Sequence, residues 1–399
     1  MISPRSHYVG SLGVCCHTEP ELIIGVPREV VEGEKRVGAV PESIPKLKGV
    51  SVHVESGAGE GAGYSDSDYS KQGATVVKDA EALYREADIV VKVHPPTASE
   101  AGGLAKGAAT VSFLYPVAHL DTVRKLVERQ ASAFAMELMP RISRAQSMDA
   151  LSSQSLVAGY KAVLIAAESL PKLFPMLMTA AGTIAPARVF VLGAGVAGLE
   201  AIATARRLGA VVEAYDVRPA VKEQIQSLGA RFVELPIEAR DAQTAGGYAK
   251  AQSEEFYRKQ QELLASHAEQ SDVVITTALI PGSRAPLLVT EEAVRRMRPG
   301  SVIVDLAAEQ GGNCALTVAG RTVEKYGVKI HGPLNVPSSM APQASQLYSR
   351  NVISFIQPMI KEGTLRPDFN DDLVKGTLVV MGGKVVHEPT RAALEGAPK

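Results

Sequence analysis

The chain has 399 residues, 46% of them apolar and 21% charged, with a formal net charge of −1 at pH 7. That length has room for two domains at roughly 150 residues each, and the balanced charge argues against nucleic acid as a partner. Cys15 and Cys16 are adjacent and Cys314 stands alone, so neither a disulfide framework nor a zinc pattern is present. No window is expected to have the length and purity of a membrane span, since the most apolar stretch, 156–181, is interrupted by Lys161, Glu168, Pro171 and Lys172.

Residues 1–20 lack the basic start, apolar centre and small-residue cleavage site of a secretory leader, and read as a disordered extension or the product of an upstream start codon. Strands are predicted at 21–26, 50–54, 87–93, 110–114 and 133–137, with helical patterns between them, for example at 79–86 and 118–129. This alternation implies a parallel sheet flanked by helices. A helical run over about 150–170 leads to a second series, with strands near 189, 211 and 232 and at 273–277, 302–306 and 328–331. After Asn335-Val-Pro-Ser338 come an amphipathic helix at 344–360 and a hairpin turning at Gly382-Gly383. The expected fold is α/β, with two Rossmann-like doubly wound parallel-sheet domains and a cleft between them. Residues 21–150 plus 336–399 form the first and 151–335 the second.

The segment from Arg188 to Asp216 carries the most chemistry. A β-branched strand meets G-x-G-x-x-G at Gly193, Gly195 and Gly198, an Ala-rich helix follows, and a second strand ends at Tyr215-Asp216. Strand, glycine turn, helix and a strand-end acid roughly 20 residues on make up the dinucleotide fingerprint. Gly193 allows the tight turn, Gly195 lets the backbone approach a pyrophosphate, and Gly198 lets the helix pack on the strand. The helix N-terminus offers unpaired N–H groups to phosphates. Gly193, Gly195, Val196, Ala197, Gly198, Asp216, Val217 and Arg218 are the candidate cofactor-binding residues of this segment. A carboxylate at Asp216 accepts from the ribose hydroxyls and repels a 2′-phosphate, which favours NAD over NADP. Arg218 argues the other way, and with the acid retained it reads as flanking the adenosine or solvated. A second glycine cluster, Gly57-Ala-Gly-Glu-Gly-Ala-Gly63, precedes a polar, acidic stretch with no apolar helix face and reads as an ordinary loop.

Several segments together resemble the alanine dehydrogenase / NAD(P) transhydrogenase family over about residues 21–387. They are Ile24-Gly-Val-Pro-Arg-Glu29, Glu34-Lys-Arg-Val37, Ala87-Asp-Ile-Val-Val-Lys92, Thr276-Thr-Ala-Leu-Ile-Pro-Gly282, Asp305-Leu-Ala-Ala-Glu-Gln-Gly-Gly312 and Asn335-Val-Pro-Ser338. Within that family the stretch from Glu137 to Ser155 is similar to the NAD(H)-binding alpha subunits of proton-translocating transhydrogenases. The resemblance implies that Arg141, Gln146, Asp149 and Ser152 surround the nicotinamide and its ribose, with Ile142, Ser143 and Arg144 as further cofactor-binding residues. Arg141, Gln146, Asp149 and Ser152 are the candidates closest to the chemistry. A helix N-cap at Asp149, with Ser152 and Ser153 in the first turn, accounts for the same residue types without a ligand. The resemblance also implies a lid over the dinucleotide at Gly247 and Tyr248, and cofactor contacts at Ala278 and Leu279.

The departures from alanine dehydrogenase matter as much. Where that enzyme has a lysine and a histidine for the keto acid, this chain has His94 and Tyr115. Arg36 remains as a cation and His94 as an acid in principle, but His94 reads first as a solvated or hydrogen-bonded loop histidine. The implied activity is direct hydride transfer from NADH to NADP⁺ held on an NADP-binding beta subunit, coupled by a membrane-spanning subunit to proton translocation. That chemistry needs positioning rather than a proton donor. The resemblance further implies a homodimer on the inner face of the cytoplasmic membrane, in the split form whose NAD subunit is a separate polypeptide. The alternatives are a stand-alone NAD-dependent amino-acid dehydrogenase and a non-catalytic NAD-binding module.

Overall fold

Short runs of β-branched residues, apolar at almost every position, make strands buried on both faces, as helix-covered parallel sheets require. The computed structural model describes residues 22–235, 253–279 and 284–396. Its strands begin with β1 (Ile23–Val26), β2 (Ser51–Glu55), β3 (Thr75–Val77), β4 (Ile89–Val91), β5 (Ala109–Ser112) and β6 (Ser132–Ala135). Then come β7 (Leu177–Thr179), β8 (Gly182–Ile184), β9 (Arg188–Leu192), β10 (Val211–Tyr215), β11 (Arg231–Phe232), β12 (Val273–Thr276), β13 (Val302–Asp305), β14 (Thr322–Lys325) and β15 (Val328–His331). The last are β16 (Ile360–Lys361), β17 (Thr364–Leu365), β18 (Leu378–Met381) and β19 (Lys384–Val385).

One sheet runs β19-β18-β6-β5-β4-β1-β2-β3 and the other β11-β10-β9-β12-β13-β15-β14. The pairings from β1 to β6 are parallel, as are those from β9 to β13 and on to β15. In each sheet the order of the parallel strands is that of the doubly wound nucleotide-binding fold. Within these two sheets antiparallel strands lie only at the margins, β18 and β19 closing one and β14 the other, while β7–β8 and β16–β17 form separate two-stranded sheets. Alternate residues of one strand pack on opposite faces. Val189 and Val191 of β9 meet Ala162, Val163, Ala201 and Ile202, while Phe190 and Leu192 meet Leu264 and Val294.

The strand positions agree with those read from the sequence, apart from β3, β14 and the β7–β8 and β16–β17 hairpins, which were not expected. β3 has three residues, and β7 and β8 have all six side chains exposed, so neither leaves a burial pattern to read. The linker helix spans Ala150–Ser169. By length and composition it could cross a membrane, contrary to expectation, but it lies against the fingerprint helix Val196–Arg207 and the return helix Ala341–Ile356. The return helix starts three residues earlier than expected because Pro342 suits the first turn. It brings Tyr348, Val352 and Phe355 into the core of the first sheet. At the final hairpin Gly382 and Gly383 both have positive φ, 52° and 82°, as a two-residue primed turn demands. The Gly57–Gly63 cluster is a turn with a short 3-10 segment at Glu60–Ala62, as expected of a loop.

Candidate functional site

Doubly wound sheets bind ligands at the C-terminal ends of their strands, where the strand order reverses. In the second sheet that point lies between β9 and β12. Gly193, just past β9, has φ +95°, and a Cβ there would come within 2.7 Å of Thr277 Oγ1. A side chain on Gly198 would overlap the Gly193 carbonyl oxygen, so the turn and the helix touch backbone to backbone. Gly195 is the N-cap of Val196–Arg207, and among the described residues no side chain caps the helix and nothing lies within 4 Å of where its Cβ would stand. An open space in front of uncapped N–H groups suits a pyrophosphate, and the residues present fit a dinucleotide.

Asp216 lies at the end of β10 and is 8% exposed. Its Oδ2 accepts from the Ala194 N–H at 2.7 Å, tying the second strand to the glycine turn. Arg218 is not solvated: its Nε donates to Oδ1 and its Nη2 to Oδ2, both at 2.8 Å, and its backbone N–H also reaches Oδ1. On the other side of the switch point the backbone of Ala278 is held at both ends by Asn313. Oδ1 accepts from Ala278 N at 3.0 Å, and Nδ2 donates to the Ala278 and Pro286 carbonyls. Asn313 is in turn fixed by the fully buried Asp305, whose Oδ2 accepts from the N–H groups of Asn313 and Cys314 and from Thr317 Oγ1. Leu279 follows, 41% exposed.

The segment from Arg141 to Asp149 crosses from the first sheet to the linker helix. Arg141, Ile142, Ser143, Arg144 and Gln146 are exposed, and 143–148 form a 3-10 turn. Asp149 is the N-cap: its carboxylate accepts from Ser152 N at 2.8 Å and from Ser152 Oγ at 2.6 Å. Arg144 makes a two-pronged ion pair with Asp371, at 2.6 and 2.9 Å, and Asp371 caps the helix Asp372–Thr377. Gly247 and Tyr248 lie outside the described residues, as do residues 1–21.

The two sheets meet through a buried polar network at their C-terminal ends. Glu34, from the loop after β1, has a fully buried side chain that takes Arg36 on both oxygens at 2.9 and 2.6 Å. Arg36 also donates to Gln154 Oε1 of the linker helix at 2.8 Å and to Asn335 Oδ1 at 2.9 Å. His94 Nε2 lies 2.6 Å from Glu34 Oε2, so the hydrogen-bonded reading of this histidine is the one that holds. Burial alone raises the Glu34 carboxyl, but hydrogen bonds from Arg36 and His94 and the charge of Arg36 hold it well below the usual carboxylate range. Glu309, past β13, accepts from the Asn335 N–H at 2.5 Å, and Asn335 sits in the left-handed region at φ +45°.

The N-terminal domain of alanine dehydrogenase/PNT matches residues 25–158, and its C-terminal domain matches 162–388. The chain belongs to the alanine dehydrogenase/PNT family. It is 50% identical over 374 residues to an NAD(P) transhydrogenase subunit alpha polypeptide of Rhodospirillum rubrum, covering 91% of this chain and 97% of that one. A solved transhydrogenase from Sinorhizobium meliloti is 46% identical with a TM-score of 0.82, over 91% of this chain and all of that one. A solved L-alanine dehydrogenase is 28% identical with a TM-score of 0.79, over 94% and 99%. The transhydrogenase branch is the nearer of the two by identity, as the resemblance in the sequence implied, and membership implies binding of NAD(H).

Three residues that position the site were not singled out from the sequence. Asp305, Asn313 and Gln154 are polar and at most 5% exposed. Asp305 stood in a family segment, but nothing in residue type or spacing marked it apart from its neighbours. Gln154 sat in a helical stretch whose buried face is visible only once the return helix is in place.

Proposed function

We propose that this chain is the NAD(H)-binding component of a proton-translocating NAD(P) transhydrogenase. The observation that favours this over amino-acid dehydrogenation is the state of Arg36. Its Nε, Nη1 and Nη2 all donate within the protein, so it offers no ready clamp for a keto-acid carboxylate. His94, the other candidate, is committed to Glu34. What remains is a site of positioning groups.

In this reading the amides of Val196 and Ala197 face the pyrophosphate past the open Gly195, and Asp216 receives the adenosine ribose. Val217 and Arg218 flank the adenosine. Ala278 and Leu279, held by Asn313, line the path toward the nicotinamide. Arg141, Ile142, Ser143, Arg144, Gln146, Asp149 and Ser152 shape the nicotinamide end, with Gln146 placed to bridge between two cofactors' polar groups. Gly247 and Tyr248 act as a lid. Bound NADH supplies the hydride, which passes to NADP⁺ on a beta subunit. The protein's contribution is orientation, and a well-held encounter of two reactants can contribute on the order of several kcal/mol. A membrane-spanning partner couples transfer to proton movement and keeps the chain at the inner face of the cytoplasmic membrane.

The reading also includes a homodimer. The β7–β8 hairpin supports it, because Met178 is 81% exposed and Leu173, Met176, Leu177 and Ile184 are exposed around it. An apolar patch of this kind marks an interaction surface.

Fluorescence titration of the purified chain with NADH and NADPH tests the cofactor assignment. Saturable quenching by NADH, with NADPH at least about tenfold weaker through the Asp216 carboxylate, is the expected result. Equal affinity for the two, or no binding, contradicts it.

A further inference from the structure

We infer that Gly159 is a positioning residue of the dinucleotide site: its missing side chain sets the spacing between the phosphate-binding turn and the segment at the nicotinamide end. This rests on the functional reading above. Glycine weakens a helix interior relative to alanine, yet Gly159 stands in the middle of the 20-residue helix Ala150–Ser169 and is buried. The reason is a crossing. A Cβ built on Gly159 would stand 2.1 Å from the Ala197 carbonyl oxygen, 2.8 Å from its carbon and 2.9 Å from its Cα. All three are backbone atoms, so no rotamer change relieves the overlap.

Ala197 belongs to the first turn of Val196–Arg207, the turn whose N–H groups face the pyrophosphate. The same turn also touches the glycine loop, since a side chain on Gly198 would overlap the Gly193 carbonyl. It is therefore packed backbone to backbone against two elements at once. Ser152 lies seven residues before Gly159, two turns along the helix at about 10 Å and within about 20° of the same face. Ser152 holds Asp149, which ends the 143–148 segment. The linker helix thus acts as a rigid spacer. One point on it rests on the phosphate turn, and its start carries the groups assigned to the nicotinamide. A push at Gly159 changes the distance between the phosphate turn, which the glycine loop also holds, and those groups.

The test compares Gly159→Ala with Val163→Ala, a cavity variant one turn further along the same helix, at a fully buried side chain. Full-length chains are titrated with NADH and with AMP, and their unfolding is followed in parallel. Gly159→Ala is expected to weaken NADH by about tenfold or more while AMP changes less than about twofold, because AMP does not span the two ends. Val163→Ala is expected to lose stability with NADH affinity kept within about twofold. Folded Gly159→Ala that binds NADH as the wild type does overturns the inference. So does a loss that is equal for NADH and AMP. Should Gly159→Ala fail to fold, hydrogen exchange on the wild type decides. ADP, which has no nicotinamide, is expected to raise protection at 196–200 and also at 150–153, and protection confined to 196–200 contradicts the spacer. A wild type that does not bind NADH at all would instead remove the functional reading beneath it.

Discussion

Arg218 forks onto Asp216, and together with the Ala194 N–H its donors fill the acceptor positions of a carboxylate expected to hold ribose hydroxyls. Binding through Asp216 therefore requires the guanidinium to yield at least one oxygen position. Asp216→Ala is expected to lower NADH affinity by about tenfold or more, given about 1.5–3 kcal/mol for hydrogen bonds to a charged group. Arg218→Ala should leave NADH affinity within about threefold or raise it, since exchanging one donor for another gains little net energy. Titration of both variants checks this. A large loss in Arg218→Ala with none in Asp216→Ala would reverse the assignment.

The Glu34–Arg36 pair predicts a pH dependence. The Glu34 carboxyl is depressed in the folded chain from its ordinary 4.5. Its contribution to stability is therefore present above the unfolded value and is lost as pH falls below about 4.5. Arg36→Met leaves a buried carboxylate without its main partner, and should cost about 3–5 kcal/mol at neutral pH. Chemical unfolding from pH 7 to 3 is expected to show a gentler acid decline in the variant than in the wild type. Parallel curves would show that another carboxylate governs the acid limb.

Asn313 joins Ala278 and Pro286, elements with no other side chain linking them by hydrogen bonds among the described residues. Asn313→Ala is expected to cost about 1–3 kcal/mol for each polar group left unsatisfied. It should also weaken NADH, because the strand-end backbone at Ala278 and Leu279 is released. Asn313→Asp keeps the acceptor but sets a buried carboxylate oxygen against the Ala278 and Pro286 carbonyls, and should cost at least as much. A variant with lowered stability and unchanged NADH affinity would separate this loop from the site.

Arg144 and Asp371 form an exposed pair, with side chains 54% and 28% accessible. Such pairs contribute about 0–1 kcal/mol. If Arg144 acts on the cofactor, Arg144→Ala lowers NADH affinity and Asp371→Ala does not. If it serves only to hold the 143–148 turn, both single variants and the double variant show the same small change. A double-mutant cycle on NADH affinity distinguishes the two, and the functional reading predicts the first.

Much of the architecture was legible because it repeats one local rule. Apolar runs such as Val189–Leu192 alternate with helical stretches, and each glycine in Gly193–Gly198 has a backbone reason visible in the motif itself. Strand β14 and the hairpin at β7–β8 escaped because exposed strands carry no burial pattern. The site divided along the same line. Gly193, Gly195, Gly198 and Asp216 are close in sequence and could be read together. The link between Arg36 and Asn335 spans 299 residues, and nothing in either loop announces the other. Gly159 escaped for a related reason: a lone glycine in a helix reads as a local cost until the Ala197 carbonyl is seen against it.

The most direct test is reduction of an acetylpyridine analogue of NAD⁺ by NADH, catalysed by the purified chain with and without an isolated NADP-binding transhydrogenase domain carrying NADP(H). The account predicts a rate only when that domain is present. No rate in the mixture, with turnover of pyruvate, ammonia and NADH by the chain alone, would contradict it and place the chain among the amino-acid dehydrogenases.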